Sequence, residues 1–393
     1  MTAVDALLDI SILATETRVR GIGRYLAELA PALQRAAAGS KLKVGFVEST
    51  EWLGDGRVDT DAEAVIARLL STPEPSARLP WAYRLRAGAA RATRAAGARL
   101  LHLGMPNVTP WGDTGGPRLL TCHDLIPTRY PEHYATLGEG FGPGRRALDR
   151  RRWGSAAHVI AISKATADDL MRLLAIPASR ITVVYNGVKL ERWSAEPGAA
   201  DATLRQRYDL GERSLLVYAG DADWRKNASG MLRALERARR LNPRADFALA
   251  WAGKLSAERR AGVQAQAREL GVDASVKLLG FVPDEDLAAL YRQAHATVFV
   301  SRAEGFGYPV LEAMACGSPV VTSNVSSLVE VAGDVAVTVD PEDPERIAEA
   351  VVAVEQDAAA RAQRTARGRD WVARFSCERQ ARETLAVYER LLA

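Results

Sequence analysis

The chain has 393 residues, of which 48% are hydrophobic, 25% charged and 6% aromatic, and its 52 basic and 48 acidic side chains give a net charge of +4. This is ordinary globular usage, which excludes disorder, collagen-like repeats and a disulfide scaffold, and the length predicts two domains rather than one core. No apolar run nears the ~18 residues of a membrane span, Met1–Asp5 lacks the basic start of a secretory leader, and Cys122, Cys316 and Cys377 are odd in number and far apart, so a reducing cytoplasm is expected.

In the first half, short apolar runs at 7–13, 42–47, 119–122, 158–162 and 181–184 predict strands separated by helices. Charge is uneven: residues 1–200 hold 26 basic and 20 acidic groups, a balance of +6, and residues 201–393 hold 26 and 28, a balance of −2. Six arginines (Arg78, Arg84, Arg86, Arg91, Arg94, Arg99) lie between Glu74 and Asp113 with no acid among them, and Arg145, Arg146, Arg150, Arg151 and Arg152 form a second cluster. Such a surface suits peripheral contact with an anionic membrane at the cytoplasmic face. Without interleaved aromatics it does not suit nucleic acid.

Residues 195–205 are small, polar and marked by Pro197 and Gly198, and they read as a linker. Beyond it the rhythm is clear. Strands at 215–218, 247–251, 276–279, 297–300 and 319–321 alternate with helices at 230–241, up to 270, from Pro283-Asp284, and at 309–315. Continuous apolar strands are covered on both faces, so the repeated strand–helix unit predicts doubly wound parallel α/β domains. The expected division is 1–195, 205–373, and a last helix at 374–393. The stripe of Ala381, Leu385, Tyr388 and Leu392 on that helix must pack somewhere, and the first domain is the expected place.

The most informative stretch runs from Ser301 to Glu312. A buried strand ends, Glu304, Gly305 and Gly307 follow, and Pro309 sits where a helix begins. A helix N-terminus offers unpaired N–H groups to a phosphate, and the glycines allow close backbone approach. Glu304 and Glu312 beside an anion site suggest that something rich in hydroxyls binds there too, as a nucleotide sugar would. Lys226, in the loop after the strand at 215–218, can supply a compact positive charge where a diphosphate departs. His123 stands at the carboxyl end of the strand at 119–122, placed to donate a hydrogen bond. Neighbouring Cys122 points to the opposite face, so the two do not form a nucleophile–base pair, and Asp124 fixes local structure or meets an acceptor. Gly21-Ile22-Gly23-Arg24-Tyr25-Leu26 lacks the third glycine of a dinucleotide fingerprint, which argues against a nicotinamide cofactor. It reads instead as a loop that approaches donor or acceptor.

The E-x7-E segment, continuing into Ala313-Met314-Ala315-Cys316-Gly317-Ser318-Pro319, resembles the donor site of retaining GT-B glycosyltransferases of glycosyltransferase family 4. The likeness extends over most of the chain through Gly21–Tyr25, Cys122-His123-Asp124-Leu125-Ile126-Pro127, Ile162-Ser163-Lys164, Tyr185-Asn186-Gly187-Val188, Arg225-Lys226-Asn227 and Leu279-Gly280-Phe281-Val282-Pro283. Within the family the wording is most similar to bacterial mannosyltransferases. The resemblance implies two Rossmann-like domains facing across a cleft, an acceptor domain followed by a donor domain. It also implies hexose transfer from a nucleotide-diphosphate sugar, GDP-mannose favoured, to a glycan, a lipid-linked saccharide or another hydroxyl, with no metal and no cofactor. By the same likeness Lys226 contacts the donor diphosphate, His123 orients the transferred sugar and Glu304 holds its hydroxyls. Glu312 binds ribose, the backbone at Val282 meets the base, and Lys254 adds a contact. Gly21, Gly23, Gly305, Phe306, Gly307, Val310 and Leu311 line the donor site. One departure stands out: the family's arginine after the strand glycine is replaced by Asp221, and Arg225 is the candidate substitute. Asp221-Ala222-Asp223 also matches the D-x-D of metal-dependent transferases, a redundant device beside Lys226. A nucleotide-sugar epimerase, a phosphorylase-like enzyme and a non-catalytic glycan-assembly subunit are the rival readings.

Overall fold

A computed structural model describes residues 4–15, 18, 21–48, 57–72, 81–105, 115–134, 145–356 and 358–393. The chain forms two compact units, Met1–Gly187 with Phe375–Ala393, and Val188–Arg374.

The first unit is built on strands β1 (Ala6–Asp9), β2 (Val44–Glu48), β3 (Arg57–Asp59), β4 (Leu100–Leu103), β5 (Arg118–Cys122), β6 (His158–Ala161) and β7 (Ile181–Val183). Their order in the sheet is β3-β2-β1-β4-β5-β6-β7. All described pairs are parallel except β2 with β3. The order reverses between β1 and β4, the place where a doubly wound sheet opens a crevice at its carboxyl end. The 7–13 run ends as a strand at Asp9 and continues as the short 3-10 turn Ser11–Ala14. The glycine-bearing segment is likewise different from the expected loop. Gly21 opens an 18-residue helix, Gly21–Ala38, whose Tyr25, Leu26, Leu29 and Leu33 are buried. That apolar stripe outweighs the low helix propensity of two glycines in the first turn.

The helix Cys377–Leu392 belongs to this unit: Ala381 and Tyr388 are fully buried, in one cluster with Tyr25, Leu26 and Leu33. Gly187 lies so close to it that a Cβ there would stand 2.5 Å from Cys377 Cα, and its N–H donates to Gln380 Oε1 at 2.9 Å.

The second unit carries β8 (Ser214–Ala219), β9 (Phe247–Ala252), β10 (Val276–Gly280), β11 (Ala296–Phe299), β12 (Val320–Ser323) and β13 (Val337–Val339). They form a parallel sheet ordered β10-β9-β8-β11-β12-β13. Its reversal falls between β8 and β11, so the loops after those two strands are neighbours. The stretch read as a linker is fixed to this unit. Arg292 donates to the Asp201 carboxylate at 2.8 and 2.5 Å and to the Ser194 carbonyl at 3.1 Å. The boundary between units falls earlier, at Gly187/Val188; small polar composition suggests flexibility, and specific ion pairs remove it.

The basic clusters are partly consumed inside the first unit. Asp149, fully buried, accepts from Arg145 at 2.5 Å, Arg152 at 3.0 Å and Thr128 at 2.6 Å. Arg146 donates to the Leu173 carbonyl and Arg99 pairs with Asp5. Arg78 and the side chains of Arg84 and Arg86 lie outside the described residues. Among the described residues no helix is long and apolar enough to cross a membrane.

Candidate functional site

The loop after β8 is tightly specified. Gly220 presents its carbonyl to Trp251 Nε1 at 3.0 Å, and the Tyr218 hydroxyl donates to the Asp221 carbonyl at 2.8 Å. A Cβ on Gly253 would fall 1.9 Å from the Gly220 oxygen, so only glycine fits at the end of β9. Asp223 caps the single 3-10 turn Trp224–Lys226, accepting from the Arg225 N–H at 3.2 Å. Asn227, left-handed at φ +57°, then caps the helix Ala228–Leu241. Its fully buried amide donates to the carbonyls of Val300 and Pro341 at 3.1 and 2.6 Å and its oxygen accepts from Gly230. The Arg302 N–H donates to the Arg225 carbonyl at 2.7 Å. The loops after β8 and β11 are thereby stitched together.

That stitching brings the predicted charges into contact. Lys226 Nζ lies 2.6 Å from Glu304 Oε1, and Arg225 Nη1 lies 3.4 Å from Glu304 Oε2. Adjacent residues thus do address one carboxylate, because a 3-10 turn rather than a strand carries them. The Lys226 ammonium also sits 4.9 Å from the centre of the Phe299 ring. Glu304 is only 8% exposed and Lys226 13%. Burial pushes the Glu304 carboxyl up, but the charges of Lys226 and Arg225 outweigh it and hold the group below its ordinary value. It stays ionised.

Past Glu304, Ser326 and Ser327 shape the loop. Ser326 Oγ accepts from the Glu304 N–H at 3.1 Å, and Ser327 Oγ stands 3.0 and 2.7 Å from the carbonyls of Glu304 and Phe306. Sequence reasoning misses both serines, since two hydroxyls after a strand carry no signal without the fold. Gly307 then turns at φ +118° and caps the helix Tyr308–Ala315. A Cβ there would meet Leu328 at 2.7 Å. Gly305 and Phe306 are buried on the approach, Val310 and Leu311 are fully buried, and the Val310 N–H is already used on the Gly307 carbonyl. Glu312 is 1% exposed in the same helix.

On the far side of β8, the Gly253 N–H donates to the Gly280 carbonyl, which sets the loops carrying Lys254 and Val282 beside each other. Lys254 is exposed and Val282 buried, whereas Phe281 between Gly280 and Val282 is 70% exposed. Asp221 and Asp223 face Arg259, at 3.4 and 3.6 Å. Among the described residues no group of three acidic, histidine or cysteine side chains could hold a metal.

In the first unit His123 follows β5. Its Nε2 lies 2.7 Å from the Gly104 carbonyl oxygen, which can only accept, so Nε2 carries the proton. Burial holds the imidazole pKa below its usual value, leaving it neutral with an unprotonated Nδ1. This corrects the expected role: His123 has no second proton to donate and can only accept one through Nδ1. Tyr25 packs edge-on against it, ring centres 4.9 Å apart. Asp124 accepts from the Ile126 N–H at 3.0 Å, a local turn that fixes the loop. The Cys122 thiol is buried and its pKa raised well above normal, chiefly by that burial, so it is no nucleophile. Gly23 is buried in its helix, and a Cβ on Gly21 would meet nothing within 4 Å.

Two family profiles match this chain: Glycosyltransferase Family 4 over residues 19–192 and Glycosyl transferases group 1 over residues 201–371. The chain belongs to the GT-B glycosyltransferases. The group 1 match contains Lys226, Glu304 and Glu312, and the family 4 match contains His123 and the Gly21–Tyr25 segment. O-antigen chain mannosyltransferase B of Escherichia coli is 35% identical over 238 residues, 60% of this chain and 61% of that protein. The chain spans less than two thirds of the length of the curated relatives it matches. Among solved structures, sucrose-phosphate synthase of Thermosynechococcus elongatus has a TM-score of 0.74 at 21% identity, covering 98% of this chain and 99% of that one. The HepE protein of Anabaena, solved with UDP and glucose, has a TM-score of 0.72 at 17% identity over 99% of this glycosyltransferase chain and 100% of its own.

Proposed function

We propose that this glycosyltransferase moves a hexose, with retention, from a nucleotide-diphosphate sugar to a glycan or other hydroxyl acceptor. The carrying observation is the Lys226–Glu304 pair at the head of the helix Tyr308–Ala315. Lys226 and the helix N-terminus meet the negative charge that develops on the departing diphosphate. Glu304, kept ionised by its cations, accepts hydrogen bonds from sugar hydroxyls. As the bond from C1 to the phosphate oxygen breaks, a bond from C1 to the acceptor oxygen forms on the same face, and the acceptor proton passes to the leaving phosphate oxygen.

Transfer without a metal is supported by the engagement of Asp221 and Asp223 with arginines, which leaves the diphosphate's charge to Lys226 and Arg225. GDP-mannose is the favoured donor because a mannosyltransferase of E. coli stands among the relatives. The test is release of nucleoside diphosphate from GDP-mannose, UDP-glucose and UDP-galactose, with and without mannose-terminated oligosaccharides, with and without EDTA. Acceptor-dependent, EDTA-resistant release from GDP-mannose is expected. Turnover without an acceptor, or release abolished by EDTA, contradicts the reading.

A further inference from the structure

The loop after β8 collects more charge than a single lysine–glutamate pair explains. Three cations (Arg225, Lys226, Arg259) face three carboxylates (Asp221, Asp223, Glu304) in one continuous chain of contacts. Lys226 to Glu304 is the tight link at 2.6 Å. The others are long: Arg225 to Glu304 at 3.4 Å and to Asp223 at 3.3 Å, Arg259 to Asp221 at 3.4 Å and to Asp223 at 3.6 Å. At such lengths Arg225 to Glu304 and Arg259 to Asp221 are weak hydrogen bonds, and Arg259 to Asp223 is an ion pair without one. Arg259 is 44% exposed and Asp221 39%, and ion pairs so exposed add little to stability. The pairing of Arg259 is therefore not explained by the fold's need for it.

What the pairing does is aim the guanidinium. Arg259 stands in the first turn of the helix Ala257–Glu269, in the loop region after β9. The two aspartates draw it to the β8 loop, the one place where Lys226 also presents its charge. Asp223 acts through both of its oxygens, since Oδ1 caps the turn that displays Arg225 and Lys226 while Oδ2 reaches Arg259.

We infer that Arg259 is a further donor-binding residue that meets the nucleotide's diphosphate together with Arg225, and that Asp221 and Asp223 are positioning residues holding the two guanidinium groups for it. This rests on the donor-site reading above. It gives the D-x-D segment a use other than metal binding. A guanidinium can leave a long, exposed carboxylate contact for a bidentate one with a phosphate at small cost.

Calorimetric titration of the full chain with GDP, UDP, GMP and guanosine tests it, in parallel with Arg259→Gln, Arg259→Lys and Asp221→Asn. Arg259→Gln is expected to weaken GDP binding about tenfold, leave guanosine binding unchanged, and make GDP binding less sensitive to salt. Arg259→Lys recovers part of the loss, and Asp221→Asn gives a smaller one. Equal loss for GDP and guanosine, or no loss for either, overturns the inference while leaving the donor site intact. If the parent chain binds neither GDP nor UDP, the donor-site reading itself fails and this inference with it.

Discussion

Replacing Lys226 with methionine isolates the contact on which the site depends. The substitution keeps most of the unbranched apolar stem but removes the charge 2.6 Å from Glu304 and 4.9 Å from the centre of the Phe299 ring. Glu304 is then a carboxylate 8% exposed with only Arg225, at 3.4 Å, for compensation. Removing one member of a buried pair costs about 3–5 kcal/mol, and Arg225 keeps the figure near about 3. For a unit of this size about 1 kcal/mol corresponds to roughly 2–4 °C, so scanning calorimetry at pH 7 should show the melting temperature falling by about 6–12 °C. The double variant Lys226→Met with Glu304→Gln leaves no buried charge and should return to within about 1 kcal/mol of the parent, a coupling of about 2–3 kcal/mol. It should recover no transferase activity. In the single variant burial is no longer outweighed, so the Glu304 carboxyl rises, and the deficit should narrow as pH falls from 7 to 5. A double variant as unstable as the two single losses added together would refute the pairing.

Asn227→Ala should cost about 3–5 kcal/mol, since it strands two buried carbonyls and puts a Cβ-bearing residue without compensation at φ +57°. Asn227→Gly, relieved of the backbone strain, should cost about 1 kcal/mol less by calorimetry, and equal losses would contradict this account. Gly307→Ala places a methyl 2.7 Å from Leu328 at φ +118°, so donor affinity should fall at least tenfold while guanosine binding holds, and unchanged GDP affinity would count against the role of that turn. Acid should destabilise the first unit through its histidines. Burial, before any other cause, lowers His102 to about 3 and His158 to about 4, so the unfolded chain takes up protons below about pH 6.5 that the fold accepts only later. Their contribution is full above that pH and is lost as pH falls. Asp9, raised to about 6 by burial, runs the other way: its contribution is present below about pH 4 and lost as pH rises through 6. Asp9→Asn should therefore melt higher than the parent at pH 7.5 and lose stability more steeply on acidification, whereas parallel melting curves would rule out that assignment.

Much of this was legible in the chain itself. Runs such as Phe247–Ala252 are buried along their whole length, and continuous apolarity of that kind has few other meanings. The E-x7-E segment was readable for the same local reason: a strand end, two glycines and a proline specify a turn into a helix. What escaped depends on partners distant in sequence. Strand β4, absent from the strands expected in the first half, carries His102 among its leucines, and that ring is buried between the Tyr388 hydroxyl at 2.7 Å and the Thr121 hydroxyl at 2.8 Å. Arg292 pins the stretch that composition marks as a linker from 91 residues away. The tautomer of His123 follows from a carbonyl 19 residues away. Each of these is a long-range electrostatic choice, and no window along the sequence contains both halves of it.

A crystal structure of the chain with GDP-mannose bound examines the donor site directly. The account predicts phosphate oxygens about 2.7–3.1 Å from Lys226 Nζ and from amides at the head of the helix Tyr308–Ala315, with Glu304 turned from the lysine to a hexose hydroxyl. A nucleotide seated elsewhere, with Lys226 and Glu304 still joined as in the unliganded chain, would contradict it.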